Sequence, residues 1–362
     1  MQRILFIILI VILVPSIAYE QQNKFAVIGY YAGKNAAQLD SFPIEKLTHI
    51  IFSFGHLKGN HLNVDDAIDS ATIKKMVSLK SRNNSLKIIL SLGGWGGCAN
   101  CSDVFATKEG RKEFSKSTKQ LCEYFGTDGI DLDWEYPAIS GYPGHKFQPA
   151  DKENFTALIK QLRKTLGNKY EVSFAAGGFG HYIEQAVEWK KVMKKVNYVN
   201  MMTYDLVSGF SKVTGHHTAL YSTEKQVEST DNAIQKLFEL NVPKSKIVIG
   251  AAFYGRMWES VPDSNSGLYQ PGKFVKGISY KNISLQASAD SGFVSYWDER
   301  ANAPYLFNPS QHLFVTYEDK RSIQLKTKYA MEKKLGGIMF WQLREDAFTE
   351  GLLDAIDEAR RN

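Results

Sequence analysis

A chain of 362 residues with 44% hydrophobic and 23% charged residues has apolar surface enough for a full core, which excludes disordered and low-complexity architectures. Its formal net charge of +6 comes from basic residues interleaved with acids, as in Lys108-Glu109 and Arg111-Lys112-Glu113. No basic stripe results, so nucleic acid is not an expected partner.

The first element is an N-terminal leader. Arg3 precedes an apolar run from Ile4 to Val14, followed by Pro15 and the small-residue pattern Ser16-Ile17-Ala18. Eleven apolar residues are too few to span a bilayer, and the flanks fit a secretory signal peptide over 1–18, cut after Ala18. The expectation is a secreted protein, extracellular or periplasmic, with no stable membrane association after cleavage, and a monomer.

From Phe25 onward, short apolar runs alternate with amphipathic segments, the pattern of repeated β/α units. Eight runs read as strands: Phe25–Tyr31, His49–Phe54, Lys87–Leu92, Asp128–Trp134, Glu171–Ala176, Tyr198–Tyr204, Ile247–Phe253 and Gly337–Trp341. Helical spacing of apolar residues marks Lys108–Tyr124, Asp151–Leu166, Gln226–Leu240 and Ser322–Lys334, and Asn241-Val242-Pro243 closes the third of these. Eight such units argue for an α/β fold, a closed (β/α)8 TIM barrel, with an open doubly wound sheet as the alternative. One interval, 259–318, is rich in Gly, Ser, Asn and aromatics and too long for an ordinary loop. It reads as a small α+β insertion between strand 7 and strand 8, dividing a barrel over 24–258 and 319–362.

The fourth strand carries the most informative stretch, Gly126-Thr127-Asp128-Gly129-Ile130-Asp131-Leu132-Asp133-Trp134-Glu135-Tyr136-Pro137. Side chains alternate along a strand, so Asp131, Asp133 and Glu135 share one side while Ile130, Leu132 and Trp134 share the other. Neighbouring buried carboxylates repel and are costly to desolvate, so at least one should keep its proton near neutral pH. A held proton is what general acid catalysis requires. The plainer reading is an acidic edge strand with solvated side chains. Asp128 lies off the alternation and reads as structural.

Other strand exits offer glycines, aromatic rings and hydrogen-bonding groups: Ser91-Leu92-Gly93-Gly94-Trp95, Ala175-Ala176-Gly177-Gly178, Asn200-Met201-Met202-Thr203-Tyr204-Asp205, Phe253-Tyr254-Gly255-Arg256-Met257-Trp258 and Met339-Phe340-Trp341-Gln342. That mixture suits a carbohydrate, whose ring faces stack on aromatics while its hydroxyls take directed bonds. Trp341 is favoured as a sugar platform; Trp134 and Trp189 read as packing, and Met202 as either packing or a ligand contact. Cys98 and Cys101 either form a short disulfide or stay as core thiols, and Cys122 is a small buried residue on a helix. With no second ligand pair for the cysteines, and with His216 and His217 pointing apart, no metal and no cofactor is expected.

The stretch Asp128 to Pro137 resembles the signature of family 18 glycoside hydrolases, the chitinases, and the likeness extends from about Phe25 to the C-terminal helix. It includes Ser91 to Trp95, Met201 to Asp205, Phe253 to Trp258 and the insertion. The resemblance implies that Glu135 is the general acid and later base, that Asp133 binds the substrate acetamido group, and that Asp131 tunes the proton. It implies that Tyr204 supports the acetamido carbonyl, and that Asp205 and Met202 line the same subsite. Trp341 would floor the cleaved sugar, with Tyr254 and Arg256 on the groove. Trp95, Tyr31 and Phe54 join the expected substrate contacts. Gln342 departs from the pattern, standing where many members carry Glu, and the Cys98, Cys101 pair is not general to the family.

Asp133 and Glu135 are two residues apart, about 6.6 Å along a strand. A separation of that size suggests inversion, yet both acids approach the sugar from one side. The attacking group would then be the substrate's own 2-acetamido oxygen, giving retention. The expected partner is chitin or an N-acetylglucosamine oligosaccharide; the alternatives are an endo-β-N-acetylglucosaminidase acting on N-glycans and a non-catalytic chitin-binding lectin.

Overall fold

A computed structural model describes residues 25–361; the expected leader lies outside them. The chain runs β1 (Ala26–Tyr31), β2 (His49–Lys58), β3 (His61–Asn63), α1 (Ala67–Ser78), β4 (Lys87–Gly93), α2 (Cys101–Ala106), α3 (Lys108–Phe125), β5 (Gly129–Asp133) and α4 (Asp151–Leu166). It continues through β6 (Glu171–Gly177), α5 (Gly180–Gln185), α6 (Trp189–Val192), β7 (Tyr198–Met202), α7 (Thr230–Glu239) and β8 (Ile247–Ala252). Next come β9 (Tyr254–Glu259), β10 (Lys273–Ser279), α8 (Tyr280–Gln286), β11 (Val294–Asp298), β12 (Ala303–Asn308) and β13 (Leu313–Thr316). Then α9 (Lys320–Glu332) leads to β14 (Gly337–Trp341) and α10 (Leu352–Arg361).

Strands β1, β2, β4, β5, β6, β7, β8 and β14 pair side by side in parallel, and pairing of β1 with β2 closes the ring. This is the expected TIM barrel. The two-residue period sorts its side chains. Ala26, Ile28, Tyr30, Ile51, Ile89, Ala175, Met202, Val248 and Met339 fill the inside. Their neighbours Val27, Ile50, Ile88, Ile130, Leu132 and Val199 face the helices, joined there by Phe155, Leu158, Ile159 and Leu162 of α4. Each buried Val, Ile, Leu, Phe or Met among them stabilises the fold by about 1.5–3 kcal/mol. Helices α3 and α7 begin at side-chain caps that satisfy a first free N–H group: Thr107 Oγ1 accepts from Gly110 N at 2.9 Å ahead of α3, and Ser229 Oγ from Asn232 N at 3.0 Å ahead of α7.

Two features differ from the sequence reading. Strand β2 continues past Phe54 to Lys58 and folds back on β3 as an antiparallel hairpin at the barrel rim. The antiparallel sheet β10-β9-β13-β12-β11 takes its first strand from Tyr254–Glu259, residues read from sequence as the exit of the seventh barrel strand. Only Phe253 separates β8 from β9. Cys98 and Cys101 form a disulfide with their Cα atoms 5.2 Å apart, and Cys122 is free and buried on α3. All parallel strands end at one rim, where barrel enzymes place their chemistry.

Candidate active site

Three strands converge on Asp131 of β5. Ser173 Oγ of β6 and Asn200 Nδ2 of β7 donate to its Oδ1 at 2.6 and 3.1 Å, and the Tyr30 hydroxyl of β1 donates to its Oδ2 at 2.9 Å. Asp131 is 0% exposed, Asp133 4% and Glu135 9%, so all three acids are out of water on the inward side of β5 and its exit. Trp134 points the other way and packs against Phe105 and Phe155. Asp128 is structural: its Oδ2 accepts from Ile88 N at 2.8 Å and lies 2.7 Å from Lys80 Nζ.

Burial sets the protonation of the row. It pushes Asp131 up to about 6, with the three hydrogen bonds opposing it. Asp133 is raised well above the usual carboxylate range by burial first, then by the charges of Glu135 and Asp131. Its Oδ1 is buried and has no hydrogen-bond partner within the chain among the described residues. Burial pushes Glu135 up to about 8, with Tyr136 partly opposing and the Asp205 charge adding to it. Asp133 and Glu135 titrate as a pair and keep protons at neutral pH.

The facing wall is built on the exits of β7, β8 and β14. Asp205 has φ 56°, a left-handed conformation that aspartate tolerates, and this turn lets Tyr204 and Asp205 both face the cavity instead of alternating. Arg256 grips Asp205 with two bonds of 2.5 Å, Nε to Oδ1 and Nη2 to Oδ2, and the Tyr254 hydroxyl donates to Oδ1 at 2.7 Å. His217 Nδ1 lies 3.6 Å from the same oxygen. Burial alone would raise Asp205, but these partners hold it well below the carboxylate range. It is a fixed charge rather than a proton carrier. Arg256 and Tyr254 reach the site from β9, so the insertion contributes directly to it.

A cavity of about 850 Å³ joins these groups, large enough for a substantial ligand. Asp133, Glu135, Tyr204, Asp205, Met202, Tyr254, Arg256, Trp95, Phe54 and Trp341 all line it. Trp341 lies across the floor, with Phe54 stacked 5.6 Å away at 14° and Tyr30 at 5.9 Å. Trp95 stands half exposed beside Tyr142 and Phe210 at 5.6 and 6.3 Å. It follows Gly93, where an added Cβ would come within 2.2 Å of the Asp133 carbonyl oxygen, so the β4 exit meets β5 only through glycine.

Tyr31 is a correction. It lies in the outer core against Phe42, and its hydroxyl donates to the Asn35 carbonyl at 2.6 Å. Alternation along β1 turns its neighbour Tyr30 inward instead, onto Asp131. Ser173, Asn200 and Tyr30 were missed as supports for Asp131, although the strand period that picked out the acids applies to them too. Phe179, Phe210, Phe274 and Glu345 also line the cavity; they come from irregular segments or the insertion, where no period points. His216 and His217 are buried, and His216 Nε2 is 3.0 Å from Asp298.

The description Glycosyl hydrolases family 18 matches residues 26–346. Chitinase A1 of Niallia circulans is 30% identical over 94% of this chain, which spans 60% of that protein's length. Chitotriosidase-1 of Mus musculus is 31% identical, over 83% of this chain and 67% of its own. Among solved structures, a family 18 N-acetylglucosaminidase from Paenibacillus barengoltzii superposes with a TM-score of 0.85 at 36% identity, covering 93% of this chain and 100% of that one. With an acid row, a fixed Asp205–Arg256 pair and an aromatic floor at the rim of a TIM barrel, this chain belongs to glycosyl hydrolases family 18 and is a glycoside hydrolase of the chitinase type.

Proposed function

We propose that the chain is a secreted, retaining chitinase that cuts β-1,4 bonds between N-acetylglucosamine units, with the substrate's acetamido oxygen as nucleophile. The observation that carries this is the one-sided placement of the acids. Glu135 keeps a proton for the bridging oxygen, and Asp133 has a bare, buried oxygen beside it. Asp205 is tied to Arg256 and Tyr254 and is not free to attack. The acetamido N–H of a sugar seated on Trp341 then finds its acceptor in Asp133, which orients the acetamide and balances the positive charge of the cyclic intermediate. Glu135, having given its proton to the leaving group, takes one from the water that opens the ring. Tyr204 and Met202 close the acetamide's pocket, and the names of the relatives, chitinases and an N-acetylglucosaminidase, agree with this substrate class.

The decisive experiment uses N-acetylglucosamine hexamer, the same oligomer without its N-acetyl groups, and a high-mannose glycoprotein. Only the first should be cleaved, with β-configured product. Glu135→Gln should lose about 10²–10⁴-fold in rate while still binding the hexamer. Equal hydrolysis of the deacetylated oligomer refutes the acetamido mechanism, and release of the glycan assigns the activity to N-glycans. Export is supported by the charged, apolar and small-residue order of residues 1–18. The protein recovered from culture medium should begin at Tyr19; a full-length chain held in the cells argues against secretion.

A further inference from the structure

The cleft has two unlike ends. On the side of β4, Trp95, Tyr142 and Phe210 stand exposed along an open exit. Past Trp341 the exits of β1 and β14 are stitched together. The Ala32 N–H donates to Gln342 Oε1 at 3.0 Å, and Arg344 Nη1 donates to the Ala32 carbonyl at 2.9 Å. Lys281 of α8 donates to the Arg344 carbonyl at 2.7 Å, so the insertion joins the same barrier. Arg344 lies so close to Gly33 that an added Cβ there would come within 2.4 Å of its Cδ. Three separate elements thus hold this wall, and no single side chain swings aside to open it.

Glu345 stands on the cavity side of the wall, lining the cleft with Trp341 and Ile278. Among the described residues its carboxyl has one hydrogen bond, a long one accepted from Gln342 Nε2 at 3.5 Å. Burial pushes its carboxyl up to about 7, against Gln342, Lys281, Arg344 and Arg256 nearby, so near neutrality it both accepts and donates hydrogen bonds. Trp95 stands beside Tyr136, the residue after Glu135, with ring centroids 6.5 Å apart, so the acid lies on the Trp95 side of Trp341 and a leaving chain that takes its proton runs that way. The other direction, toward Glu345, is that of the non-reducing end. Only a terminal unit has a free 4-hydroxyl there; in an interior unit that oxygen carries the next sugar, which the wall would obstruct.

Resting on the chitinase reading above, we propose that Glu345 caps the non-reducing terminal sugar and that the Ala32–Gln342–Arg344–Lys281 wall makes this an enzyme of chain ends, releasing short fragments from the non-reducing end. The experiment is a time course on N-acetylglucosamine hexamer carrying a fluorophore at its reducing end. The earliest products should be an unlabelled mono- or disaccharide with its labelled complement, and the labelled chain should shorten stepwise. Labelled dimer and trimer appearing from the first time point in equal measure overturn chain-end action while leaving the hydrolase reading intact. Absence of any cleavage overturns the hydrolase reading and this one with it. Glu345→Ala should raise KM for the hexamer about tenfold, as loss of a hydrogen bond to a charged group does, with Glu345→Gln recovering part of that. An unchanged KM in Glu345→Ala overturns the capping role. Because three side chains hold the wall, the combined variant Gln342→Ala, Arg344→Ala and Lys281→Ala, which removes their bonds to Ala32 and to the Arg344 carbonyl, should let labelled dimer and trimer appear early; an unchanged product order in it overturns the role of the wall.

Discussion

At the scale of single residues, the site is a set of carboxyl groups separated by environment. Asp131, Asp133 and Glu135 are all pushed toward the neutral acid by burial, while Asp205 is held ionised by Arg256 and its neighbours. The division separates the roles proposed above: the raised groups exchange protons, so that Asp133 is ionised only when it balances the cyclic intermediate, while Asp205 stays charged throughout. A pH dependence follows with a definite sign. Glu135 holds its proton up to about 8 against an ordinary value of 4.5, so between those values the folded chain binds more protons than the unfolded chain and loses stability as the pH rises. With Glu135 as the proposed acid, catalysis has the same upper limit, because an ionised Glu135 has no proton to give. The kcat/KM profile should fall as the pH rises through about 8. Glu135→Gln removes this ionisation, so its melting temperature should exceed that of the unaltered protein at about pH 9, with a smaller gap at about pH 4. A gap that stays constant across that range contradicts a buried proton at Glu135.

At the scale of elements, the strand period was enough to find the barrel, the inward acids and the outward Trp134, because a buried parallel strand leaves each side chain two directions only. Tyr31, expected among the substrate contacts, gives way to Tyr30, since two adjacent tyrosines look alike until the register of β1 against β14 is known, here Ile28 with Met339. Where the backbone leaves the period, the sequence stops being readable. Asp205 joins Tyr204 in the cavity through a left-handed turn, and β9 begins so soon after β8 that one long apolar run covers both. Helix boundaries failed for a similar local reason. The expected helix from Gln226 starts at Thr230, because Ser229 caps it and the Gln226 side chain instead pairs with the backbone of His216, accepting from N at 2.9 Å and donating to O at 2.8 Å. Glu345 and the β1–β14 wall depend on loops meeting across the closed ring, 310 residues apart in the case of Ala32 and Gln342. No local pattern announces such a contact.

At the scale of the whole molecule, the question is whether barrel and insertion stand or fall together. The insertion has apolar clusters of its own, Met257, Ile278, Leu306 and Val315 on one face and Trp258, Phe307 and Phe314 on the other. A unit of that size is marginal alone, since small domains bury too little of their surface. Its attachment is not a flexible linker. Phe253, between β8 and β9, is fully buried and stacks on Phe340 of β14 with ring centroids 4.0 Å apart at 5°. Its N–H donates to the Trp341 carbonyl at 2.8 Å, and its carbonyl accepts from the Tyr280 N–H of α8 at 2.9 Å. A buried Lys326–Glu318 pair, bonded also to Thr218, joins the segment after β13 to the loop that carries His217. Displacing the insertion would therefore pull on β14 at Phe340 and Trp341 and unpair a buried charge, which is strongly destabilising. The chain should unfold in one transition, with the calorimetric and van't Hoff enthalpies equal. Phe253→Ala should lower stability by about 3–5 kcal/mol, as loss of a core aromatic ring does, and should move the whole transition down together. Two resolved transitions in the unaltered protein, or a Phe253→Ala variant in which only one part shifts, would mean that the insertion is held in place by its own core and that Arg256 and Tyr254 are delivered to the cleft by a separately folding unit.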